Sequence, residues 1–346
     1  MADLPPLRYL SGADVTAAMP PLPERLALAE QTLRGLAGAA ELPPKIGVHP
    51  RGGLSFAHAM PALLPGDASD GSTDRLGMKW VSGNPANNAA GLLGIYGLLV
   101  LNDPVTTAPV AILDAGPITA ERTAAISGVA IRAFAPDGPG MADGRRAEGG
   151  GSGGRGGPRA ALIGAGVQGR SHVTVLGHVL PGVALTLFDR DRIRAEVLAA
   201  VASETEGIGE VRVAASAREA VDGAGVVVTA ASFVAPPERQ VMTNDWLTPD
   251  ALVVPVDYAT YCAAEVAREA SLFVVDHTAQ FLANRDAGSF EGYPDPAAMI
   301  GEVLGRPRPA GRIVATHLGT GLADVVFGAA ILAEAVSRGL GTILPR

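Results

Sequence analysis

The stretch Ile163-Gly164-Ala165-Gly166-Val167-Gln168-Gly169 decides the fold of this chain, because an apolar run breaks there into the pattern G-x-G-x-x-G. The residues before it, Ala160–Ile163, predict a buried strand, and those after it, Ser171–Leu180, predict a helix. A second apolar run, Ala184–Phe188, ends at Asp189, 20 residues after the last glycine. One such match is weak in a chain with 44 glycines, but strand, turn, helix and strand in this order predict a dinucleotide-binding fold.

Each glycine of this turn has a mechanical reason. Gly164 permits the tight strand-to-helix connection, Gly166 lets the backbone approach a pyrophosphate, and Gly169 lets helix and strand pack closely. Asp189 can accept hydrogen bonds from ribose hydroxyls and repels a 2′-phosphate, whereas the neighbouring Arg190 opposes this preference. We therefore predict NAD as the cofactor, with NADP as the alternative. The predicted cofactor-binding residues are Gly164, Gly166, Val167, Gln168, Gly169, Asp189, Arg190, Ala230 and Ser232.

Strand and helix patterns alternate from residue 159 onwards, as a parallel sheet covered on both faces requires. The predicted strands are Ala160–Ile163, Ala184–Phe188, Val211–Ala214, Val226–Ala230, Leu252–Val256 and Leu272–Val275. The predicted helices that follow the second strand are Ile193–Ser203, Ala217–Val221 and Ala263–Glu269. The fold class is therefore predicted to be α/β, with a doubly wound Rossmann sheet of these six strands.

A second α/β domain is expected from the rest of the chain. Leu98–Leu101 and Val110–Leu113 predict an antiparallel hairpin, and Thr119–Phe134 predicts a helix. The apolar C-terminal helix, about Leu322–Ser337, is expected to return to this first domain and complete it. The predicted boundaries are 1–135 and 315–346 for the substrate-binding and dimerisation domain, 136–158 for a Gly-rich linker or loop, and 159–314 for the Rossmann domain.

Composition narrows the class of protein. Lys and Arg number 27 against 35 Asp and Glu, and the net charge of −8 argues against nucleic-acid and anionic-membrane partners. No apolar run reaches the roughly 18 residues that a membrane span requires, and no signal peptide is visible. The six histidines lack metal-ligand spacing, so no metal site is expected. Cys262 is the single cysteine, which makes a reducing, cytoplasmic location the default.

Two cations stand out before the linker. Lys79 lies within an apolar strand pattern just ahead of a Gly-Asn-Pro turn, and Arg122 lies near the start of the predicted helix Thr119–Phe134. Lys79 could lie on the solvated face of an edge strand, and Arg122 could be a surface charge. If the two converge, they form a carboxylate clamp, because a guanidinium grips both oxygens while an ammonium acts as a point charge.

Three stretches resemble the ornithine cyclodeaminase/mu-crystallin family: Lys79-Trp80-Val81-Ser82-Gly83-Asn84-Pro85-Ala86-Asn87-Asn88, Ile118-Thr119-Ala120-Glu121-Arg122-Thr123-Ala124-Ala125-Ile126-Ser127, and Ile163 to Gly169. The resemblance extends from Lys45 to about Asp324. It implies a homodimer whose N-terminal sheets meet across the two-fold axis, and a Rossmann domain that binds NAD(H) or NADP(H). It also implies that Lys79 and Arg122 hold a substrate carboxylate beside the nicotinamide.

The chain departs from the cyclodeaminases of this family at two places. Lys45 stands where they have another carboxylate-binding arginine, so the charge is kept but the bidentate grip is lost. The loop that carries their catalytic aspartate has Ala259 at the matching position, and Asp257 lies two residues earlier. Asp257 could serve as the catalytic aspartate if the loop is slipped, or it could cap a helix or contact a ribose.

Three histidines are further candidates near the substrate. His49 and His58 are expected on strands that face the substrate, and His317 lies where the family returns to its N-terminal domain near the active site. A histidine can donate a proton near neutral pH, although each could instead be structural. The predicted substrate-binding set is Lys45, His58, Lys79, Arg122 and His317, and the predicted catalytic set is Lys79, Arg122 and Asp257.

These observations predict an NAD(P)-dependent oxidoreductase acting on the C–N bond of an amino or imino acid, of the ketimine reductase or amino-acid dehydrogenase type. Its partners are expected to be a small amino or imino acid and a second copy of the chain. One alternative is a cyclodeaminase-like ammonia lyase that uses NAD catalytically. The other is a non-catalytic, cofactor-dependent ligand-binding protein of the mu-crystallin type.

Overall fold

The computed structural model describes residues 5–50, 55–136, 157–234 and 236–345. Residues 137–156 of the predicted linker lie outside this part of the chain. The strands are β1 Leu7–Leu10, β2 Ile46–Val48, β3 Phe56–Leu64, β4 Arg75–Gly83, β5 Ile95–Asn102, β6 Pro109–Asp114, β7 Arg159–Ile163, β8 Val183–Phe188, β9 Ile208–Val213, β10 Val226–Thr229, β11 Leu252–Pro255, β12 Leu272–Val275, β13 Ala298–Met299, β14 Ile313–Thr316 and β15 Thr342–Leu344. The helices are α1 Gly12–Ala17, α2 Leu22–Leu36, α3 Ala115–Phe134, α4 Val167–Val179, α5 Arg192–Ser203, α6 Ala217–Val221, α7 Ala264–Arg268, α8 Thr278–Asp286, α9 Ile300–Val303 and α10 Gly321–Ser337.

The chain divides into two compact units, one of residues 1–125 with 319–346 and one of residues 126–318. The first division falls inside α3, whereas the predicted boundary at residue 135 lies just beyond the end of this helix. The helix itself begins at Ala115, one turn before the predicted start at Thr119. Gly116 and Pro117, residues that are common in turns, lie in the first turn of α3, and the predicted start therefore lies after them.

The first unit is built on a seven-stranded sheet of order β15-β1-β6-β5-β4-β3-β2. The β1–β6 pair is parallel, and the other pairs are antiparallel, including the predicted hairpin of β5 and β6. Helix α10 packs on β3, β4 and β5 and also contacts α2. Buried and less buried residues alternate along β4, so its buried side chains lie on one face of the sheet.

The second unit contains an eight-stranded parallel sheet of order β13-β12-β14-β11-β10-β7-β8-β9. Strands β10, β11 and β14 are buried along their whole length, as parallel strands covered on both faces must be. This sheet confirms the predicted fold class of a Rossmann-type α/β protein.

The prediction of six Rossmann strands was wrong. Ile313-Val314-Ala315-Thr316 forms β14, which inserts between β11 and β12, and the short β13 adds to the edge at β12. The predicted boundary at residue 314 therefore cuts through β14. A run of four apolar or small residues between two loops gives little signal by itself, and neighbours distant in sequence supply its pairing.

Among the described residues, no helix has the length and apolar character needed to cross a bilayer.

Candidate functional site

The glycine-rich turn follows β7 and leads into α4. Gly164 has a φ of 107°, and a Cβ placed there would lie 2.5 Å from the carbonyl oxygen of Ala230. A Cβ on Gly169 would overlap the carbonyl oxygen of Gly164. Side chains at these two positions would push the turn away from the β10 loop and from its own helix, which is the packing role predicted for them.

The start of α4 is open to a ligand. Gly166 is the N-cap residue, and it has no side chain to bond the first N–H groups of the helix. A Cβ on Gly166 would meet nothing within 4 Å, and Val167 is exposed. Uncapped N–H groups at a helix N-terminus, beside free space, suit a phosphate. The residues of this turn therefore fit the pyrophosphate of a dinucleotide.

Asp189 comes directly after β8, and its side chain is hydrogen-bonded to the glycine-rich turn. Its Oδ2 accepts a hydrogen bond from the backbone N–H of Ala165 at 2.7 Å, and its Oδ1 accepts one from the N–H of Asp191 at 2.8 Å. The side chain is half-buried, while the adjacent Arg190 is exposed. A carboxylate has about four lone-pair sites, so Asp189 keeps acceptor capacity for a ribose hydroxyl.

Asp257 lies under the loop that follows β10. Its Oδ1 accepts from the Thr229 hydroxyl at 2.7 Å, and its Oδ2 accepts from the N–H of Ala231 at 3.2 Å. Burial raises the pKa of Asp257 to about 7, although both hydrogen bonds lower it. The predicted alternative of a helix cap is wrong, because the N-cap of the following helix α7 is Ala263. The carboxyl group instead shapes the loop that contains Ala230 and Ser232, two of the predicted cofactor-binding residues.

Lys79, Arg122 and Asp324 meet in the interior of the first unit. Lys79 of β4 is 1% exposed, Arg122 of α3 is 5% exposed, and Asp324 of α10 is fully buried. Lys79 Nζ lies 2.5 Å from Asp324 Oδ2, and Arg122 Nε donates to Asp324 Oδ1 at 3.2 Å. The alternatives of a solvated edge strand for Lys79 and of a surface charge for Arg122 are therefore wrong. The two predicted cations converge, as a carboxylate clamp requires.

One nitrogen of the Arg122 guanidinium is not used in the contact with Asp324. Its Nη1 is buried and has no hydrogen-bond partner among the described residues. Gly319, with a φ of 73°, passes so close that a Cβ there would lie 2.5 Å from Nη1 and 2.7 Å from Nη2. A buried donor without a partner costs about 1–3 kcal/mol, and an anionic ligand would remove that cost.

The charged groups around Lys79 affect its pKa. Burial, together with the charges of Arg122 and Lys45, lowers its pKa to about 8, while Asp324 opposes them. Its Nζ also lies 3.5 Å from the Thr119 hydroxyl. Lys45, the residue predicted in place of an arginine, is half-buried ahead of β2 and is close enough to act on Lys79 through its charge.

The two predicted histidines of this region lie side by side, with 6.2 Å between their ring centroids. His58 lies on β3, where its ring stacks on Phe56 at 4.7 Å between centroids. Burial, with contributions from the charges of Lys45 and His49, lowers the pKa of His58 to about 4. His49 is exposed and lies just after the end of β2, so its predicted place on a strand is wrong. Because His58 is neutral near pH 7, it is a poor proton donor.

His317 belongs to a buried chain of hydrogen bonds in the second unit. Its Nε2 lies 2.8 Å from the Ser127 hydroxyl, which lies 2.8 Å from His172 Nε2, and His172 Nδ1 donates to the Gln168 carbonyl at 2.6 Å. Burial lowers the pKa of His172 to about 4, so this ring is neutral. The chain fixes the ring of His317 directly after β14, at the carboxyl end of the sheet, where such folds bind ligands.

Sequence reasoning missed Asp324, Ser127 and His172. The usable signal for Asp324 was a carboxylate four residues into an apolar helix, because such a group is almost never buried without a partner. No signal in the sequence indicated that Ser127 and His172 bond to each other, because the two residues are distant in sequence. A serine is also common on the packed face of any helix.

The chain matches a known family along most of its length. The family model described as "Ornithine cyclodeaminase/mu-crystallin family" matches residues 15–141 and 155–325, and this confirms the predicted resemblance. The nodulation efficiency protein NfeD of Rhizobium meliloti is 34% identical over 348 residues, which cover 98% of each chain.

Two solved structures share the fold. The Delta(1)-pyrroline-2-carboxylate reductase of Thermococcus litoralis, in complex with NADH and L-proline, superposes with a TM-score of 0.79 at 23% identity. That match covers 97% of this chain and 100% of the reductase. An archaeal alanine dehydrogenase dimer with bound NAD gives a TM-score of 0.77 at 22% identity, over 98% of this chain and 99% of the other.

Proposed function

Because the chain belongs to the ornithine cyclodeaminase/mu-crystallin family, we propose that it is an NAD(H)-dependent oxidoreductase acting on the C–N bond of an amino or imino acid. The observation that carries this proposal is the buried pair of cations, Lys79 and Arg122, one of which keeps an unpartnered donor. A reductase that binds NADH with L-proline and a dehydrogenase that binds NAD, both of the same fold, support the reaction class.

The residues of the first unit bind and orient the substrate. Arg122 and Lys79 hold the α-carboxylate, which places the adjacent carbon in one orientation, and Lys45 adds positive charge to the same region. Fixing the carboxylate fixes which face of a planar imine is presented for reaction. NADH, when bound, supplies the hydride that converts the imine to an amine.

The second unit contains two groups that the sequence predicted for proton exchange, Asp257 and His317. Asp257, with its pKa raised to about 7 by burial, can be protonated near neutral pH, but it reaches a substrate only when its bonds to Thr229 and Ala231 open. His317 is the second group, and Ser127 holds it through Nε2. His58 is the weakest of the three groups predicted from the sequence, because its pKa of about 4 leaves it neutral.

The proposed assembly is a homodimer formed through the sheet of the first unit. Trp80 and Leu98 pair directly across β4 and β5 and are 44% and 45% exposed, and Tyr96 lies on the same face. An exposed apolar sheet face suits a second copy of the chain, and the archaeal alanine dehydrogenase of the same fold is a dimer. Leu98→Glu should give monomers in analytical ultracentrifugation, while Val197→Glu, at an exposed apolar position on α5, should not.

The function is tested by following NADH and NADPH absorbance with a panel of 2-oxo acids plus ammonia or methylamine, and with cyclic imines. Net oxidation of the reduced cofactor with one of these substrates supports the proposal. Ammonia release from an amino acid without net cofactor turnover would instead assign a cyclodeaminase. Ligand binding without either reaction would assign a binding protein.

The cytoplasmic setting expected from the single cysteine stays a prediction. Cys262 is buried, and burial raises the pKa of its thiol to about 12, so it is unreactive.

A further inference from the structure

Asp324 lies at the centre of the cation pair, and none of the roles assigned above belongs to it. It is the only charged residue among the buried positions of α10, and both of its oxygens face cations. Burying a carboxylate in an apolar helix costs several kcal/mol unless partners compensate it. Its place between Lys79 and Arg122 therefore indicates that it fixes the positions of these two side chains.

The contacts of Asp324 decide which donors are left for a ligand. It engages Arg122 through Nε, so the Nη edge of the guanidinium, which passes Gly319, is not used by this carboxylate. A guanidinium binds a carboxylate best through two adjacent N–H groups in one plane. Anchoring the Nε therefore presents the Nη edge, including the unpartnered Nη1, in a fixed direction.

The charges of the three side chains also limit the ligand. Two cations and one anion leave a net charge of one positive, which a single carboxylate neutralises. Without Asp324, Lys79 and Arg122 would face each other in a dry interior, and the repulsion would fall on Lys79, because an arginine does not deprotonate in proteins.

We propose that Asp324 is the positioning residue of this anion site: it binds Lys79 Nζ and Arg122 Nε, and so presents their remaining donors to one carboxylate group. This inference rests on the proposed function, since it concerns the same site. The inference adds that Lys79 is already charged before the ligand binds. Asp324, on the helix α10 that completes the first unit, is the group that keeps Lys79 charged.

Four ionisable groups lie on the elements around Lys79. Asp324 faces it from α10, Arg122 from α3, and Lys45 from the segment before β2. His58 lies on the same face of the sheet, two residues along β3 from Met60, the cross-strand partner of Lys79. Asp324 is the only one of these four groups that favours the charged lysine.

The composition makes this charge state directly measurable. Of the 27 basic residues only two are lysines, Lys45 and Lys79, and both lie in this region. A protein labelled with ¹³C at lysine Cε therefore gives two signals, and Lys45→Arg assigns them. Following the Lys79 signal against pH, on the full-length protein, reports its protonation without any assay of turnover.

We expect Lys79 to be charged at neutral pH in the wild-type protein and to lose its proton near the pKa of about 8. In Asp324→Asn the midpoint should fall by about one pH unit or more, because an opposite charge within about 4–6 Å favours the charged form. Glu121→Gln is the matched control: it removes the partly buried carboxylate next to Arg122 in sequence, which pairs with Arg25 instead, and should leave Lys79 unchanged.

Pyrrole-2-carboxylate, a planar imino-acid analogue with one carboxylate, separates this inference from the proposed function. Added to Asp324→Asn, it should restore the charged Lys79, because its carboxylate replaces the missing one. An unchanged Lys79 titration in Asp324→Asn would overturn the role of Asp324 and leave the proposed function standing. Failure of the wild-type protein to bind the analogue would overturn the carboxylate site and, with it, both proposals. If Asp324→Asn does not fold, the wild-type titration decides, since a neutral Lys79 at pH 7 contradicts the proposal.

Discussion

Asp189 and Ala165 are joined by a hydrogen bond of 2.7 Å from the backbone N–H of the turn to the carboxylate after β8. The residue predicted to read the ribose therefore also holds the turn that is expected to cradle the pyrophosphate. We therefore predict that cofactor choice and turn geometry are coupled through this side chain, which also accepts a hydrogen bond from the N–H of Asp191.

Asp189→Ala should narrow a preference for NADH over NADPH, because the carboxylate that repels a 2′-phosphate is gone while Arg190 remains. It should also weaken both cofactors, since the N–H of Ala165 loses its acceptor. Titration of each cofactor by fluorescence measures the two effects. Asp191→Ala, which removes the cap of α5, should lower stability by about 1 kcal/mol without changing the ratio of the two affinities. Wild-type protein that binds NADPH as tightly as NADH would contradict the predicted preference.

The sequence predicted the Rossmann half well because its signals are local. The glycine turn and the strands β8 and β12 follow from apolar runs bounded by turn residues, and β12 has its predicted bounds. Strand β14 and Asp324 could not be predicted in this way. The pairing of β14 depends on β11 and β12, and the burial of Asp324 depends on Lys79 and Arg122, which are more than 200 residues away.

Lys79→Ala and Arg122→Ala should each lower kcat/KM by at least about 25-fold, because losing one partner of a desolvated charge pair costs about 2–5 kcal/mol. Each single variant still leaves one cation to neutralise Asp324, so the fold should survive. Cofactor binding should change little, since the dinucleotide turn belongs to the second unit. Steady-state kinetics, cofactor titration and thermal unfolding measure these three outcomes.

Arg34→Ala is the matched control for the clamp, because this arginine forms an exposed pair with Glu30 on α2 and should leave kcat/KM unchanged. A clamp variant that kept the wild-type kcat/KM would show that its residue does not bind the substrate.

Asp257 should make the protein less stable as the pH rises from about 4 to about 7. Burial raises its pKa in the folded state from 3.8 to about 7, so the folded protein holds a proton that the unfolded chain releases. Stability from this proton is fully present below the unfolded pKa and is lost as the pH rises through the folded pKa. The effect is on the order of 2–4 kcal/mol at most, at about 1.4 kcal/mol per unit of pKa difference.

Urea unfolding of the wild-type protein and of Asp257→Asn across this pH range isolates the effect, because subtracting the two curves removes the other titrating groups. The asparagine can keep both hydrogen bonds, accepting from Ala231 and donating to the Thr229 hydroxyl. A difference in unfolding free energy that does not change with pH would show that Asp257 is ionised throughout.

Ornithine should not be converted to proline at a useful rate. Cyclodeamination needs a base placed at the substrate amine, and the loop position that matches the family's aspartate is Ala259, which is buried and has no ionisable group. Asp257, the nearest carboxylate in sequence, is already bonded to the Thr229 hydroxyl and to the Ala231 N–H, so reaching a substrate would require breaking both contacts. Purified protein incubated with L-ornithine and catalytic NAD should therefore yield neither proline nor ammonia above background. Stoichiometric formation of both products would show that the loop rearranges on binding and that the protein is a lyase.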